Sequence, residues 1–230
     1  KRLNGGKGKT KALATFEEMD SLKIEKSMQP YLPRVESILQ DSTAAGKFLH
    51  TCINIIAGNQ QLQQCTQRSI IGGVLACSMT GLSLIKQLGQ AHLVPFRNRD
   101  LNGQYEAQLI IGYAGYAELM LRTDRIAAID ASIVYSRDEF DVREGTEQRI
   151  VHKPLLRGDR GEMVLTYAVA RYKDGTAKFV WMSIDDVYEF HRDRSQGYKS
   201  AEKHGYTTPW HTDEAAMIKK TAVIELRKFA

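Results

Sequence analysis

The N-terminal part of the 230-residue chain carries apolar residues at helical spacing. Over residues 16–59 they recur three and four positions apart, which predicts helices, and Pro33 is typical of the start of the main one, which runs to Gly58. A second helical run covers residues 66–81 and ends at a glycine. Its Gly72-Gly73 pair costs about 1 kcal/mol per residue relative to alanine. Close approach of another backbone, from protein or DNA, would explain that pair.

After this region the apolar pattern changes to a period of two, which is typical of strands. The segments "GQAHLVPF" and "QYEAQLII" flank a loop with an Asn-Gly turn signal and predict a β-hairpin. Further strands are predicted over residues 131–142, 147–154, 163–172 and 176–183, the last two joined by Asp174-Gly175. Strands in the middle and helices at both ends predict an α+β fold: a small antiparallel β-sheet with hairpins packed against helices.

Between the hairpin and the later strands lies the junction "LIIGYAGYAELMLRTDRI". A strand-like run breaks at Gly112 and becomes a helix-like pattern that ends in Arg122 and Arg125. Such a turn can direct backbone N–H groups at a phosphate, and the G-x-x-G that starts at Gly112 clamps backbone in some RNA-binding loops. The alternative is an ordinary turn with its tyrosines packed inward. A dinucleotide site is disfavoured because G-x-G-x-x-G is absent.

The C-terminal part is predicted to return to helix. Ser183 to Asp186 matches a capping box, and Thr212, followed by two acidic residues, is predicted to cap the last helix. Residues 191–211 are interpreted as a long basic loop. We therefore expect a flexible basic arm at residues 1–15 and one α+β domain at 16–230. Within it, residues 16–81 are helical, 82–182 are β-rich with a helix at 113–125, and 183–230 hold helices and the basic loop.

Composition narrows the class of protein. The chain is 43% apolar and 26% charged, which is typical of a globular domain, and its net charge of +5 suits a polyanionic partner. Cys52, Cys65 and Cys77 form no C-x-x-C, so neither a disulfide framework nor a zinc site is indicated, and a cytoplasmic location is expected. No signal peptide or membrane-spanning run is recognised, so we expect no membrane partner.

Catalytic motifs are weak. The phosphate-loop pattern fails because Leu3 stands where a glycine is needed, so we expect no ATP site. Asp138, Glu139 and Asp141 lie in one predicted strand beside arginines, which favours surface salt links over a two-metal nuclease site. The histidines lack ligand spacing and no G-x-S-x-G is present. The prediction is a protein without catalytic residues, metal site or required cofactor, with Mg²⁺ only as a DNA counterion.

Nucleic-acid binding finds more support, because it needs cations and flat side chains along a groove but no fixed spacing. The predicted loop interleaves basic and aromatic residues: Arg192, Arg194, Tyr198, Lys199, Lys203, Tyr206 and Trp210. The alternative is a solvated loop whose Trp210 packs in the core. Neither alternative is excluded by this segment alone.

Several blocks then occur in one order along the chain: "SIIGGVLACSMTGLSL", "LGQAHLVPF", "QLIIGYAGYAELMLRT", "IVHKP", "RGDRGEMVLTYAVARYKDG" and "PWHTDEAAMIKKTAVIELRK". Together they resemble the RecT family of phage and prophage single-strand DNA annealing proteins, from about Leu32 to Lys228. One departure is Ile85-Lys86, where the family usually has a proline-containing turn, so the resemblance does not extend to the conformation of that loop.

The resemblance implies an ATP-independent protein of homologous recombination in a bacterial cytoplasm. It would bind single-stranded DNA, assemble with itself into rings or helical filaments, and pair complementary strands through an annealed duplex intermediate. A partner exonuclease, and the host single-strand binding protein through a tail beyond this chain, are further implied partners. The family is similar in its core to Red beta. The alternatives are a DNA-binding accessory protein that does not anneal strands and a metal-dependent nuclease.

An annealing protein must hold the backbone and leave base edges free. The apolar helices from Pro33 to Gly81 are predicted to make subunit contacts. For the DNA contacts we expect residues of the last helix, the basic loop, the glycine-tyrosine junction and, in second rank, the strands: Lys219, Lys220, Arg227; Arg192, Arg194, Lys199, Lys203, Trp210; Tyr113, Arg122, Arg125; Lys153, Arg97, Arg99.

Overall fold

The structure is a computed structural model that describes residues 13–98 and 100–229. Most of the predicted basic arm, residues 1–12, and the predicted DNA contact Arg99 lie outside the described residues. Contacts group the chain into two compact units, Lys1–Gly115 and Tyr116–Ala230. Helices and antiparallel strands occur together, so the predicted α+β class is confirmed. The division into an arm and a single domain stays a prediction.

Helices precede a β-hairpin in the first unit. The helices are α1 (Ser21–Met28), α2 (Leu32–Leu39), α3 (Ser42–Ala57), α4 (Gln60–Gln63) and α5 (Gln67–Thr80), with 3-10 turns at Gln29–Tyr31 and Lys86–Leu88. The hairpin pairs β1 (Ala91–Arg97) with β2 (Tyr105–Ile111), so that Ala91 lies opposite Ile111. The predicted hairpin is confirmed, and α6 (Tyr113–Leu121) follows it directly.

The main helix predicted from Pro33 to Gly58 is wrong as a single helix. Gln40 adopts a left-handed conformation with φ of 54° and ends α2. Asp41 then caps α3, because its side chain accepts a hydrogen bond from the Ala44 N–H at 3.0 Å. The apolar spacing continues across this break, so periodicity alone did not show it.

The second predicted helix is confirmed at both ends. Thr66 caps α5 by accepting from the Ser69 N–H, and Gly81 follows with a φ of 61°. Inside α5, a Cβ on Gly73 would lie 2.6 Å from Leu93 Cδ2, whereas one on Gly72 would meet nothing within 4 Å. Gly73 therefore makes room for a side chain of β1. No protein backbone of the described chain approaches the pair, contrary to one of the predicted explanations.

The core of the first unit consists of the apolar faces of these helices. α1 and α2 pack on α3, and α5 packs on α2 and β2. Fully buried side chains join them: Phe16, Ile24, Met28, Val35, Ile56, Leu62, Ile70, Val74 and Leu82. The three cysteines are also buried here, and burial raises the pKa of each thiol, to about 11 for Cys65 and Cys77. They act as small apolar side chains.

The second unit contains two antiparallel sheets. In the first, β3 (Ile126–Tyr135), β6 (Met163–Tyr172) and β7 (Ala177–Ser183) pair in the order β3-β6-β7, so β3 and β7 are edge strands. β4 (Glu139–Arg143) and β5 (Arg149–Lys153) form a separate hairpin. The single strand predicted over residues 131–142 is therefore wrong, because a turn at 136–138 divides it.

The region predicted as a long loop, residues 191–211, is mostly helical. α7 (Ile184–Val187) continues into a π-helical turn, Tyr188–Arg192, and α8 (Gln196–His204), α9 (Pro209–Thr212) and α10 (Glu214–Leu226) follow. The side chain of Ser195 caps α8, and that of Ser183 caps α7 as predicted. Asp213 caps α10 by accepting from the Ala216 N–H at 3.2 Å, so the predicted cap at Thr212 is wrong by one residue.

α10 packs on one face of the three-stranded sheet. Ala168 and Ala170 of β6 are fully buried against Ala222 and Leu226 of the helix, and these small strand residues allow the helix to approach closely. A second cluster at the other end of the helix joins Ile218 with Trp210 and other apolar residues of β3 and α7. Within the part of the chain that is described, no helix is long and apolar enough to cross a bilayer.

Candidate nucleic-acid interface

The glycine-tyrosine junction is explained by packing within the first unit. A Cβ on Gly112 would lie 2.1 Å from the Gly89 carbonyl oxygen, and one on Gly115 would lie 2.1 Å from the Gln90 carbonyl oxygen. The Gly112 N–H donates to the same Gln90 oxygen at 2.8 Å. Both glycines serve a close backbone contact, and the Gly112 N–H does not face a phosphate. Tyr113, the first residue of α6, is exposed and keeps 48% of its accessible surface.

Some of the predicted DNA-binding cations already pair with carboxylates. Arg122 Nε lies 3.1 Å from a Glu118 oxygen, and Lys153 Nζ lies 2.8 Å from Glu139 Oε2. Exposed pairs of this kind contribute about 0–1 kcal/mol, so a phosphate can compete for either cation. They are weaker candidates than unpaired cations, because DNA must first displace the carboxylate.

The Arg192 side chain contacts neighbouring side chains of the second unit. Its guanidinium lies 3.9 Å from the centre of the Tyr188 ring and 5.2 Å from that of Tyr198. Its Nε also donates to Asp193 at 2.8 Å. These contacts link the π-helical turn to α8, and the role of Arg192 in DNA binding stays a prediction.

Other predicted contacts lie on aromatic rings or in turns. The Arg194 guanidinium lies 4.7 Å from the Phe190 ring centre, and that of Arg227 lies 4.3 Å from the Tyr116 ring centre. Arg97 Nε donates to the Gly103 carbonyl in the β1–β2 turn, and Arg125 is exposed just before β3. Trp210 is only 7% exposed, which favours core packing, the alternative interpretation, over a groove wall.

The lysines of α8 and α10 are differently placed. Lys199 and Lys203 are exposed and four residues apart on α8, which puts them on one helix face. Lys219 is exposed on α10, whereas Lys220 is half-buried and burial lowers its pKa. No carboxylate in the described ranges lies within 4 Å of these amino groups.

Lys219 also borders a cleft beside the edge strand β3, named here the β3 cleft. Its volume is about 370 Å³, and its walls come from β3, β5, β6, α10 and the loop after β5. The lining residues are Ser132, Ile133, Tyr135, His152, Pro154, Arg160, Tyr167, Ala215 and Lys219. None of them is acidic, so the cleft presents cationic and neutral polar groups.

A buried carboxylate lies behind this cleft. The side chain of Asp138 has no exposed surface, and Arg160 donates to it through both Nε at 3.1 Å and Nη2 at 2.5 Å. The N–H groups of Tyr135 and Leu155 also donate to it, at 3.0 and 2.8 Å, and His152 Nε2 lies 3.1 Å away. Hydrogen bonding from Arg160 holds the pKa of Asp138 well below its usual range. The carboxylate therefore fixes the Arg160 side chain.

Sequence reasoning missed Arg160 and misplaced Asp138. Asp138 was predicted in a strand with surface salt links, but it lies in the turn before β4, where its buried oxygens attract several donors. A signal that could have indicated Arg160 is the block "RGDRG", in which Gly158 and Gly161 have φ angles of 92° and 82°. Those conformations shape the loop that carries Arg160 back to Asp138.

The comparisons with known proteins decide the family. The RecT family model matches residues 46–230, more than half of the chain and every lining residue of the β3 cleft. The chain belongs to the RecT family. It is 35% identical over 171 residues to Protein RecT of Escherichia coli (strain K12), an overlap that covers 73% of this chain and 60% of that protein. The resemblance predicted from the sequence is confirmed.

A second relative covers less of this RecT-family chain. It is the uncharacterised protein YqaK of Bacillus subtilis (strain 168), 28% identical over 99 residues, which are 43% of this chain and 32% of that protein. The chain therefore spans less than two thirds of the length of either relative. The family match begins within α3, so α1 and α2 lie before it.

The sequence also did not indicate a second cleft of this RecT-family chain, which is lined by Trp181. Trp181, on the edge strand β7, is 40% exposed, and its ring N–H donates to Glu144 Oε1 at 2.7 Å. Lys178 and Phe229 border the same shallow cleft. Because Glu144 is among its lining residues, this cleft is electrostatically less suited to a phosphate than the β3 cleft.

In the described part of the chain, no three His, Cys, Asp or Glu side chains come together in a group able to hold a metal ion. His152, which lies beside Asp138, donates to or accepts from the Tyr167 hydroxyl at 3.1 Å on its other ring nitrogen. Its two ring nitrogens are thus both engaged within the protein.

Proposed function

We propose that this RecT-family chain binds single-stranded DNA through the sugar-phosphate backbone and pairs it with a complementary strand without ATP. The observation that carries the proposal is the family match over residues 46–230. That range contains α8, α10 and the β3 cleft, whose lysines are not paired with carboxylates in the described chain. The structure thus offers exposed positive charge within the segment that defines the family.

Annealing is slowed in water by repulsion between phosphates and by folding of each strand on itself. Lysines neutralise phosphates without reading base edges, so the bases stay free to pair. Lys199, Lys203 and Lys219 suit this role best, because each is exposed and none is paired with a carboxylate in the described residues. Arg122 and Lys153 would contribute less, since each already pairs with a glutamate.

The test is an annealing assay with two complementary oligonucleotides, without nucleotide and with a chelator present. We expect the chain to accelerate duplex formation, and we expect the Lys199→Gln/Lys203→Gln variant to be slower. The control is Lys23→Gln/Lys26→Gln, which removes the same number of exposed lysines from α1, outside the family match; of the two, Lys23 lies 3.7 Å from Asp20. Binding without acceleration would favour an accessory DNA-binding protein, and cleavage that requires added metal would favour a nuclease. Either result would contradict the proposal.

Self-assembly is part of the same proposal. The first unit carries an apolar groove of about 300 Å³ between α2, α3 and the end of α5, lined by Leu39, Phe48, Leu82 and Leu84 among others. It also exposes Leu22, Met79 and Leu88, which are 69%, 71% and 51% accessible. Serine at these exposed positions should shift sedimentation toward smaller species. Undiminished assembly would show that subunits meet elsewhere.

An exonuclease and the host single-strand binding protein are proposed as further partners.

A further inference from the structure

We infer that the β3 cleft binds a phosphate group of the DNA backbone, with Lys219 and Arg160 as its direct contacts and Asp138 as the residue that positions Arg160. The inference rests on the proposed function for the identity of the ligand, single-stranded DNA. It goes further in assigning one place, one arginine and one buried carboxylate to that binding. The α8 lysines form no part of it.

The hydrogen-bond pattern leaves part of Arg160 available to a ligand. A guanidinium has five N–H donors. Asp138 engages Nε and Nη2, along one edge of the guanidinium, so the donors on Nη1 and the second donor on Nη2 remain. The Arg160 side chain is 33% exposed and borders the cleft. The free edge therefore offers the geometry that suits phosphate oxygens.

Arg160 and Lys219 contribute differently to phosphate binding. Asp138 and Arg160 together are neutral, so Arg160 supplies directed N–H donors and Lys219 supplies the net positive charge. The charge of Asp138 is balanced by its ion pair with Arg160, and its oxygens also accept hydrogen bonds from the Leu155 and Tyr135 N–H groups. Hydroxyl groups of Ser132 and Tyr167 line the same cleft and add neutral polar groups.

Arg160 is also held in place before a ligand arrives. Its guanidinium lies 4.2 Å from the centre of the Tyr135 ring, in addition to its paired contact with Asp138. Ordering a long side chain on binding costs about 0.5–1.5 kcal/mol, and this cost is reduced where the side chain is already fixed. Asp138 thus promotes binding without touching the ligand.

The aromatic rings favour a backbone phosphate over a base. The Tyr135 ring is covered by Arg160, and the Tyr167 ring packs with its centre 5.8 Å from that of Phe140 and 5.6 Å from that of His152. A nucleobase stacks on an open ring face. Since these rings are engaged within the protein, the cleft recognises the phosphate and leaves the base outside.

The first test measures the affinity for a fluorescein-labelled single-stranded oligonucleotide between 50 and 200 mM salt. For single strands the slope of log affinity against log salt changes by about 0.7 per phosphate contact, so losing one contact lowers the affinity ratio between these salt concentrations about 2.6-fold. We expect this change for Lys219→Gln. Arg149→Gln is the control, because Arg149 is exposed on β5, outside the cleft. Arg160→Lys keeps the charge, so it should weaken binding and leave the slope unchanged.

The second test asks whether Asp138 acts through Arg160. The affinities of Asp138→Asn, Arg160→Gln and the double variant form a cycle, measured well below the thermal midpoint of each. We expect Asp138→Asn to weaken binding in the wild-type background and to have no further effect when Arg160 is already glutamine. Equal losses in both backgrounds would overturn the positioning role. If Asp138→Asn does not fold, the Arg160→Lys and Lys219→Gln measurements still decide the site.

The two proposals fail in different ways. If the wild-type chain does not bind or anneal single strands, the proposed function is wrong. If it anneals them while Lys219→Gln and Arg160→Lys match the wild type in salt slope and affinity, the β3 cleft is not the site and the proposed function stands. A parallel titration with inorganic phosphate alone should show no saturation at the oligonucleotide concentrations used. Saturation there would identify a free-phosphate site and overturn the DNA assignment.

Discussion

Gly115→Ala tests the backbone contact beneath α6. The added Cβ would lie 2.1 Å from the Gln90 carbonyl oxygen and 2.9 Å from Ile111 Cγ2. Ordinary contacts begin at 3.4 Å, so the carbonyl would have to move by about 1.3 Å. That carbonyl accepts the hydrogen bond from the Gly112 N–H at 2.8 Å, so the movement would also disturb the start of the helix.

The expected magnitude combines opposing effects. Alanine is favoured over glycine in a helix interior by about 1 kcal/mol. Overpacking costs about 1–3 kcal/mol, and a disturbed hydrogen bond costs about 1 kcal/mol. The hydrogen-bond loss offsets the helix-propensity gain, so we expect Gly115→Ala to lower the free energy of unfolding by about 1–3 kcal/mol.

Gly72→Ala is the matched control, because it makes the same substitution in a helix with no atom within 4 Å of the new Cβ. Here the helix-propensity gain stands alone, and we expect stabilisation of about 1 kcal/mol. Urea unfolding followed by far-ultraviolet circular dichroism measures both variants. A Gly115→Ala chain that unfolds at the wild-type urea concentration or above would refute the assigned close contact.

Further predictions concern a helix cap, an acid-sensitive group and the two tryptophans. Asp213→Ala should lower the free energy of unfolding by about 1 kcal/mol, measured by urea titration, because the N-cap bond to the Ala216 N–H is lost. Hydrogen bonding from Arg160 lowers the folded-state pKa of Asp138 below 3.8, so its contribution is present above that pH and is lost as the pH falls further. The urea midpoint of the wild type should fall as the pH drops below about 4, and that of Asp138→Asn should fall less. The same fall in both proteins would contradict this. Trp181→Phe should remove most acrylamide-quenchable fluorescence and Trp210→Phe should leave it, because Trp181 is 40% exposed and Trp210 is 7% exposed.

The sequence predicted those elements whose signals are local. Both ends of α5 were predicted correctly, because the threonine cap and the terminal glycine lie directly next to the apolar pattern of the helix. The helices of residues 191–211 were missed, because composition favoured a loop while the caps are single side chains such as Ser195. The break between β3 and β4 depends on Asp138, whose donors lie up to 22 residues away, so no window of sequence contains its cause.

The candidate site follows the same rule. Lys219 could be predicted, because it is one of the basic residues of the predicted last helix and therefore visible in the sequence. Arg160 could not, because its direction is set by a carboxylate in a distant turn. Trp210 was a reasonable groove wall by composition, but its neighbours in space, Ile133 and Ile218, make it part of the core.

The hydrogen bonds of Asp138 also limit how the β3 cleft can be transferred to another protein. The Asp138 carboxylate joins the end of β3, His152 of β5 and the loop that carries Leu155 and Arg160. In another scaffold, Arg160 without Asp138 would lack the carboxylate that orients its guanidinium. Asp138 without Arg160 would be a buried charge with no partner, which is destabilising. A graft of this site would need β3 through β6 together with α10, because α10 packs on β6 and supplies Lys219.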